Sequence, residues 1–199
     1  MKTKTEKFEF YSETLKEALG KHAEKYDTTI DDILETCNYQ ARGEKAFVPH
    51  YEEPYMYGDE GDLVLVDYKS RLNREGRSAN CPWYQELKDV DPGDESWDDV
   101  AKINPIDARR LGIETGDRIR LISPTGQLEC TAKLWEGARP GTVAKCYGQG
   151  HWTYGKVAAK EFGNVPRGGN NNDIIPADYD RLSGSSVYYG VVRVKVVKV

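Results

Sequence analysis

Apolar and polar residues alternate most regularly in the middle of the chain. The segment 118–122 alternates polar and apolar side chains, and the alternation resumes at 128–134 after a Ser-Pro-Thr-Gly turn at 123–126. A third such segment, 142–147, follows a second turn that contains glycine and proline. A period of two is typical of half-buried strands, so this region predicts a hairpin and a returning strand.

A short helix precedes these strands. Asn104 is a suitable N-cap, Pro105 stands at the first helical position, and Gly112 can provide a left-handed C-cap. Further upstream, the apolar run 63–68 predicts a strand that is buried on both faces. Helix, hairpin and returning strand together indicate a compact β barrel rather than a βαβ sheet, so the predicted fold class is mainly β.

The first 61 residues follow a different pattern. Residues 7–11 predict a short strand, and two helices follow, the first capped by Ser12 and the second beginning at residues 28–29. Residues 41–61 carry scattered prolines and glycines, which is typical of a linker. We therefore expect residues 1–61 to form an N-terminal strand, a helical extension and a linker.

Two further segments complete the pattern. Residues 88–100 are acidic and rich in turn-forming residues, which predicts a surface loop anchored by Trp97. The β-branched tail 187–199 predicts a pair of strands or one long strand, with Lys195 and Lys198 keeping its edge soluble.

Charge and hydropathy exclude several classes of protein. The 199 residues include 28 Lys and Arg against 33 Asp and Glu, which gives a net charge of −5, and the mean hydropathy is −0.72. A net negative charge argues against a general binder of nucleic acid or of anionic membranes. No apolar run approaches the ~20 residues of a membrane helix, and the first residues lack the apolar core of a secretion signal.

Residue spacing predicts neither a metal centre nor a catalytic centre. The four cysteines include no C-x-x-C pair, which favours four separate reduced thiols. The sequence also lacks the motifs of serine hydrolases, P-loop proteins, zinc proteases and Rossmann folds. We therefore assign no catalytic and no metal-binding residues.

Three loops nevertheless carry residues suited to a ligand. Residues 68–80 contain four lysines and arginines, and arginine side chains match phosphate groups. Residues 149–156 combine glycines with aromatic rings, which allow close backbone approach and stacking. Residues 168–173 contain three successive asparagines, whose amides suit the polar edge of a heterocycle. Each loop alone is also compatible with an ordinary polar turn, but together they suit a nucleotide or a pterin.

A series of short motifs resembles a known family. In chain order the motifs are Asn-Pro-Ile-Asp-Ala-Arg-Arg-Leu-Gly-Ile-Glu-Thr-Gly-Asp (104–117), Ser-Pro-Thr-Gly (123–126), Arg-Pro-Gly-Thr-Val (139–143), Gly-His-Trp (150–152), Asn-Asn-Asn (170–172) and Asp-Arg-Leu-Ser-Gly (180–184). Each motif is short, and the order and spacing of the whole series carry the resemblance. Over residues 62–199 it resembles the C-terminal dinucleotide-binding domain of the molybdopterin oxidoreductases, the dimethyl sulfoxide reductase superfamily.

This resemblance implies a fold, a cofactor and a set of contacts. Residues 62–199 are expected to form a six-stranded double-psi β barrel, similar to that of aspartate decarboxylase. The barrel would cover one side of a bis(molybdopterin guanine dinucleotide) cofactor that holds molybdenum or tungsten. The residues expected to contact this cofactor are Tyr68, Lys69, Ser70, Arg71, Gly150, His151, Trp152, Asn170, Asn171 and Asn172. In the asparagine-containing loop, Asn171 and Asn172 are the best positional matches.

The resemblance also implies partners. The N-terminal junction is similar to that of sulfur-compound and arsenate reductases, which implies the C-terminal part of a large anaerobic oxidoreductase subunit. The metal-binding residue of such subunits lies in earlier domains, so the chain alone is not expected to turn over substrate. The implied partners are the remaining domains or a separate catalytic subunit, together with an iron–sulfur electron-transfer subunit, with neither nucleic acid nor membrane insertion. The location stays open between the cytoplasm and, where a full-length precursor carries a twin-arginine signal, the periplasm.

Three alternatives stay open. The first is a free-standing subunit that completes the cofactor site of a separate protein, as in formylmethanofuran dehydrogenase-like complexes. The second is a self-processing pyruvoyl enzyme on the same barrel, which requires cleavage of a Gly-Ser bond, and the sequence has one such step at Gly184-Ser185. The third is a plain interaction domain.

Overall fold

The computed structural model describes most of the chain, namely residues 3–73, 75–150, 168–186 and 191–199. Contacts between residues divide the chain into an N-terminal unit and a barrel unit. The N-terminal unit consists of Met1–Pro54 and Tyr179–Ser185. The barrel unit consists of Tyr55–Asp178 and Ser186–Val199. Each unit has a hydrophobic core of its own.

Two short helices build the N-terminal unit. Helix α1 spans Glu13–Tyr26 and is capped by the side chain of Ser12. Helix α2 spans Ile30–Thr36 and begins with a capping box in which Thr29 is the N-cap. A 3-10 turn follows at Gly43–Phe47. Both helices and their caps agree with the sequence prediction.

The structure differs from the prediction at residues 7–11, where the backbone forms bends and no strand. The side chains of Phe8 and Phe10 are 64% and 71% exposed. They pack edge to face against each other, with 4.8 Å between ring centroids. A strand needs a neighbour for its backbone hydrogen bonds, and the described residues place none beside this segment.

Six strands close into a barrel in the second unit. They are β1 (Leu63–Tyr68), β2 (Val100–Ile103), β3 (Arg118–Ile122), β4 (Gln127–Leu134), β5 (Thr142–Cys146) and β6 (Arg193–Lys198). Their order around the barrel is β1-β5-β2-β4-β3-β6, and β6 pairs back with β1. The pairs β1/β5 and β2/β4 are parallel, whereas the other neighbours are antiparallel. The prediction of a mainly β fold built on a six-stranded barrel is confirmed.

Alternate residues of β3 and β4 fill the barrel interior, as the period-two pattern predicts. The prediction that β1 is buried on both faces is wrong, because its burial alternates and Val66 is 40% exposed. The residues at the centre of this core include Leu63, Leu65, Ile103, Ile119, Leu121, Val143, Val194 and Val196. The predicted tail strand is present as β6, and residues 187–190 lie outside the described residues.

Two further helices lie in the connections of the barrel. Helix α3 spans Pro82–Glu86 and α4 spans Pro105–Leu111. Helix α4 ends, as predicted, at Gly112 with a φ of 66°. Within the described ranges, none of the helices combines the length and the apolarity that a membrane span requires.

Replacing Asn104 with alanine is expected to lower the free energy of unfolding by about 1–3 kcal/mol. The Asn104 side chain accepts a hydrogen bond from the Ile106 amide at 2.9 Å and donates one to the Ala138 carbonyl at 2.8 Å. The Asn104→Asp variant keeps the cap and loses the donor to Ala138. Its free energy of unfolding, measured in urea, should therefore lie between those of the wild type and Asn104→Ala. Equal values for all three proteins would show that the Asn104 side chain does not make these two hydrogen bonds.

The prediction of a surface loop at residues 88–100 is wrong. Its last residue begins β2, which is buried along its whole length. The predicted anchor Trp97 is 37% exposed. Four charged side chains are buried instead, namely Lys88, Asp91, Asp94 and Asp99. Buried charges require partners, and these partners lie next to the candidate site.

Candidate functional site

Two of the predicted ligand loops leave the barrel at the same edge. Strands β1 and β5 are parallel, and their last residues, Tyr68 and Cys146, are partners in the register. The chain therefore enters the loops after both strands side by side. The side-chain nitrogen of Asn171 donates to the Asp67 carboxylate and, at 3.2 Å, to the backbone carbonyl of Lys145. Since Asp67 and Lys145 are also register partners, the third loop reaches the same edge.

Glycines allow these loops to touch. A Cβ atom on Gly148 would lie 2.7 Å from the Cα of Gly76, and one on Gly150 would lie 2.4 Å from the Asn170 nitrogen. Both Gly148 and Gly150 have positive φ angles, of 86° and 70°, which glycine adopts readily. The start of the glycine loop, residues 148–156, thus contacts both the basic loop, residues 68–80, and the asparagine loop, residues 168–173.

The three asparagines of the asparagine loop, residues 168–173, have different roles. Asn170 caps the 3-10 turn Asn171–Asp173 by accepting a hydrogen bond from the Asn172 amide at 3.1 Å. Asn171 is 1% exposed, and its side-chain oxygen has no hydrogen-bond partner within the described ranges. Asn172 is exposed. Asn171 therefore holds the loop against the barrel, while Asn172 presents its side chain to the outside.

In the basic loop, one acid organises the predicted residues. The buried Ser70 hydroxyl donates to Asp91, and Arg71 donates to the same carboxylate through its Nε at 2.6 Å. Burial opposes the ionisation of Asp91, but these hydrogen bonds outweigh it and hold the pKa of its carboxyl below the usual value. Ser70 therefore fixes the loop from inside, whereas Lys69 and Arg71 are exposed at the surface.

Tyr68 connects this loop to a buried cluster of charges. Its hydroxyl donates to Asp94 at 2.5 Å, and Lys102 lies 3.3 Å from the same carboxylate oxygen. The Lys102 ammonium also lies 4.4 Å from the centre of the Tyr68 ring and 5.0 Å from that of Trp135. Burial raises the pKa of Asp94, and the hydrogen bond from Tyr68 and the charge of Lys102 oppose that shift.

Lys88 is the second buried lysine of this cluster. Its ammonium donates to the Asp98 carbonyl. Burial lowers the pKa of Lys88, and the charges of Asp99 and Asp94 offset this only in part.

A third buried lysine pairs with Asp99 beneath the asparagine loop. The Lys145 ammonium lies 2.8 Å from the Asp99 carboxylate, and neither side chain is more than 1% exposed. Burial disfavours the ammonium, but the charge and the hydrogen bond of Asp99, together with neighbouring groups, outweigh this and raise the pKa of Lys145. Sequence reasoning missed Asp94, Asp99, Lys102 and Lys145. The alternation in β5 does place Lys145 on the inward face with Val143, which is the signal that could have found it.

A cleft of about 240 Å³ lies where the asparagine loop crosses β3 and β4. Arg118 and Arg120 line it, and both bind the Glu129 carboxylate, each with a shortest N–O distance of 2.9 Å or less. These hydrogen bonds, that of Arg120 above all, lower the pKa of Glu129. Gly150, Gly168 and Gly169 line the same cleft.

Two predicted positions and one alternative need separate mention. His151 and Trp152 lie outside the described residues. Gly184 and Ser185, the step that a pyruvoyl enzyme would cleave, lie in an exposed turn of the N-terminal unit and not in the barrel unit. Among the described residues, no group of three or more His, Cys, Asp or Glu side chains is arranged to hold a metal ion.

Comparisons with known proteins identify the family. The family model described as "Molydopterin dinucleotide binding domain" matches residues 77–192. The arsenate respiratory reductase molybdopterin-containing subunit ArrA of Shewanella sp. (strain ANA-3) is 62% identical over 200 residues, which covers all of this chain and 23% of that protein. The protein of the same name from Chrysiogenes arsenatis is 57% identical, over 94% of this chain and 23% of that protein. The chain therefore spans about a quarter of the length of these relatives.

More distant matches are consistent with the same family. One tetrathionate reductase subunit, from Archaeoglobus fulgidus, is 43% identical over 104 residues, which is 52% of this chain and 8% of that protein. The solved structure of acetylene hydratase from Pelobacter acetylenicus superposes with a TM-score of 0.55 at 21% identity, over 84% of this chain and 22% of that chain. At this identity the superposition supports the fold.

Proposed function

The chain belongs to the molydopterin dinucleotide binding domain family, and from this membership we propose that its barrel unit forms the C-terminal, cofactor-binding domain of a respiratory oxidoreductase subunit. The cofactor is molybdenum bis(molybdopterin guanine dinucleotide). Two relatives at 62% and 57% identity are arsenate respiratory reductase subunits, which favours arsenate as the substrate of the whole protein. In this proposal the remaining domains of that subunit are the first partner, and an iron–sulfur subunit that delivers electrons is the second.

The convergence of three loops at one barrel edge carries the proposal. A dinucleotide brings phosphate groups, two heterocycles and their polar edges, so it needs cations and amides on one surface. Lys69 and Arg71 supply exposed cations, and Asn172 supplies an exposed amide on the loop that Asn171 fastens to the same edge. The buried side-chain oxygen of Asn171 offers a further acceptor without a partner among the described residues. These groups fit the cofactor.

The residues of this chain act by binding and orientation. We expect Lys69 and Arg71 to bind phosphate oxygens, with Arg71 held in place by Asp91. Asn170 and Asn172 are expected to hydrogen-bond to a heterocycle edge. Gly150 lets the glycine loop approach closely, because it leaves no side chain between the two loops. The bound cofactor supplies the redox chemistry of the metal, and the protein orients it.

Replacing Asn172 with alanine is expected to make cofactor loss from the catalytic subunit about 3- to 10-fold faster, because one hydrogen bond to the ligand disappears. The purified enzyme is diluted for a series of fixed times, and the guanine nucleotide that acid still releases from the protein is measured. Because Asn172 is exposed, the stability of the fold should not change.

A matched control is Asn38→Gly. Asn38 is an exposed asparagine of the N-terminal unit with a φ of 62°, a conformation that glycine accepts. Equal cofactor retention in the Asn172→Ala and Asn38→Gly variants would remove Asn172 from the proposed site.

A further inference from the structure

One residue of the asparagine loop, Gly169, is held through its backbone by a buried ion pair. The Gly169 amide donates to the Asp99 carboxylate at 3.0 Å, and the Gly169 carbonyl accepts from the Lys145 ammonium at 2.8 Å. The two side chains also pair with each other at 2.8 Å. Both hydrogen-bonding groups of this residue are therefore bound by opposite charges in the barrel interior.

The ion pair is itself anchored in the barrel. Lys145 belongs to β5 and faces Ala101 of β2 in the antiparallel register. Asp99 directly precedes β2, and its carbonyl accepts a hydrogen bond from the Thr131 amide of β4 at 3.0 Å. Three strands thus fix the position of the two charged groups.

The contacts of Gly169 continue into the asparagines. The Asn171 side chain donates to the backbone carbonyl of the same Lys145. A Cβ atom on Gly168 would lie 1.9 Å from an Asp99 oxygen, and one on Gly169 would lie 2.5 Å from the Cβ of Leu128. The loop is therefore tightly packed against Asp99 and Leu128. A shift of the Gly169 backbone would move residues 170–172 with it.

We propose that the Lys145–Asp99 pair positions the asparagine loop for cofactor binding. A buried ion pair is a poor means of gaining stability, because the loss of hydration offsets much of the attraction. What the pair supplies here is one donor and one acceptor that orient both backbone hydrogen-bonding groups of a single residue, Gly169. This inference rests on the proposed function, and it names Lys145 and Asp99 as positioning residues that do not touch the cofactor.

The test compares the loop with the barrel in one variant. Asp99→Ala/Lys145→Met removes both charges, so no unpaired buried charge remains to unfold the barrel. Relative to the barrel amides of Ile103 and Val143, amide hydrogen exchange of Gly169 is expected to become about 10- to 100-fold faster. This factor corresponds to the loss of a hydrogen bond to a charged group. The catalytic subunit that carries the same variant should lose its guanine dinucleotide several-fold faster.

Two further variants complete the experiment. Asp99→Asn/Lys145→Gln also removes both charges but keeps polar side chains that can still bond to Gly169, so a smaller acceleration of about 3- to 10-fold is expected where the first double variant is too unstable to study. Glu95→Ala/Lys133→Met is the matched control, since Glu95 forms a partly exposed ion pair with Lys133 of β4. It should change neither the exchange of Gly169 nor cofactor retention.

The possible results separate this inference from the proposed function. Unchanged exchange of Gly169 relative to the barrel would show that the pair does not hold the loop. Faster exchange with wild-type cofactor retention would show that the position of the loop does not matter for binding. Either result overturns the inference. A wild-type subunit without guanine dinucleotide would instead contradict the proposed function, and this is seen before any variant is made.

Discussion

Replacing Lys145 alone with methionine is expected to lower the free energy of unfolding by about 3–5 kcal/mol, because it leaves a buried carboxylate without its partner. Asp99 is 1% exposed, so water cannot take the place of the lost ammonium. The Gly169 carbonyl loses its donor in the same step. Urea denaturation of the 199-residue chain measures this loss.

A double-mutant cycle identifies the cause. In Asp99→Ala/Lys145→Met both charges are absent, so the loss should be smaller than the sum of the two single losses by at least about 2 kcal/mol. Additive losses would show that the two groups do not interact as the structure has them, and a loss below about 1 kcal/mol for Lys145→Met would contradict its burial.

Replacing Gly168 with alanine is expected to cost about 2–5 kcal/mol, from a strained backbone together with an overlap of atoms. Gly168 has a φ of 71°, which non-glycine residues rarely adopt. Its new Cβ atom would lie 1.9 Å from Asp99 and must push the carboxylate away from Lys145. Denaturation of the variant measures the combined effect.

Gly184 provides the control for this substitution. It has the same φ of 71°, but a Cβ atom there would meet nothing within 4 Å. Gly184→Ala should therefore show the backbone cost alone, about 1 kcal/mol. The difference between the two variants measures the overlap with Asp99. Equal losses would mean that the asparagine loop does not press against the ion pair.

The sequence predicted those parts of the fold that depend on local patterns. The alternation in β3 and β4, the cap at Asn104 and the left-handed end at Gly112 each follow from a few neighbouring residues. The motif series then identified the family, which the match to residues 77–192 confirms. The residue content of the loops indicates three ligand loops, which the structure brings to one edge as far as they are described.

What the sequence did not reveal depends on contacts between distant residues. Aspartate and lysine are rarely buried, so residues 88–100 were interpreted as a surface loop. Asp94 is buried because it pairs with Lys102, and Asp99 is buried because it pairs with Lys145. The pairing of β2 with β5 brings Asp99 and Lys145 together. The strand β2 itself has no alternation, because all of its residues are buried. The same limit applies to Asn171 and Asn172, whose different exposure depends on the β1/β5 pair beneath them.

The most direct test of the cofactor site is hydrogen exchange of the catalytic subunit with and without its cofactor, read by mass spectrometry. The account predicts that peptides covering residues 68–80 and 168–173 exchange more slowly in the loaded subunit. Peptides of α1 (Glu13–Tyr26) should not change. If the two loops exchange at the same rate in both states, the barrel edge at β1 and β5 does not bind the molybdopterin guanine dinucleotide.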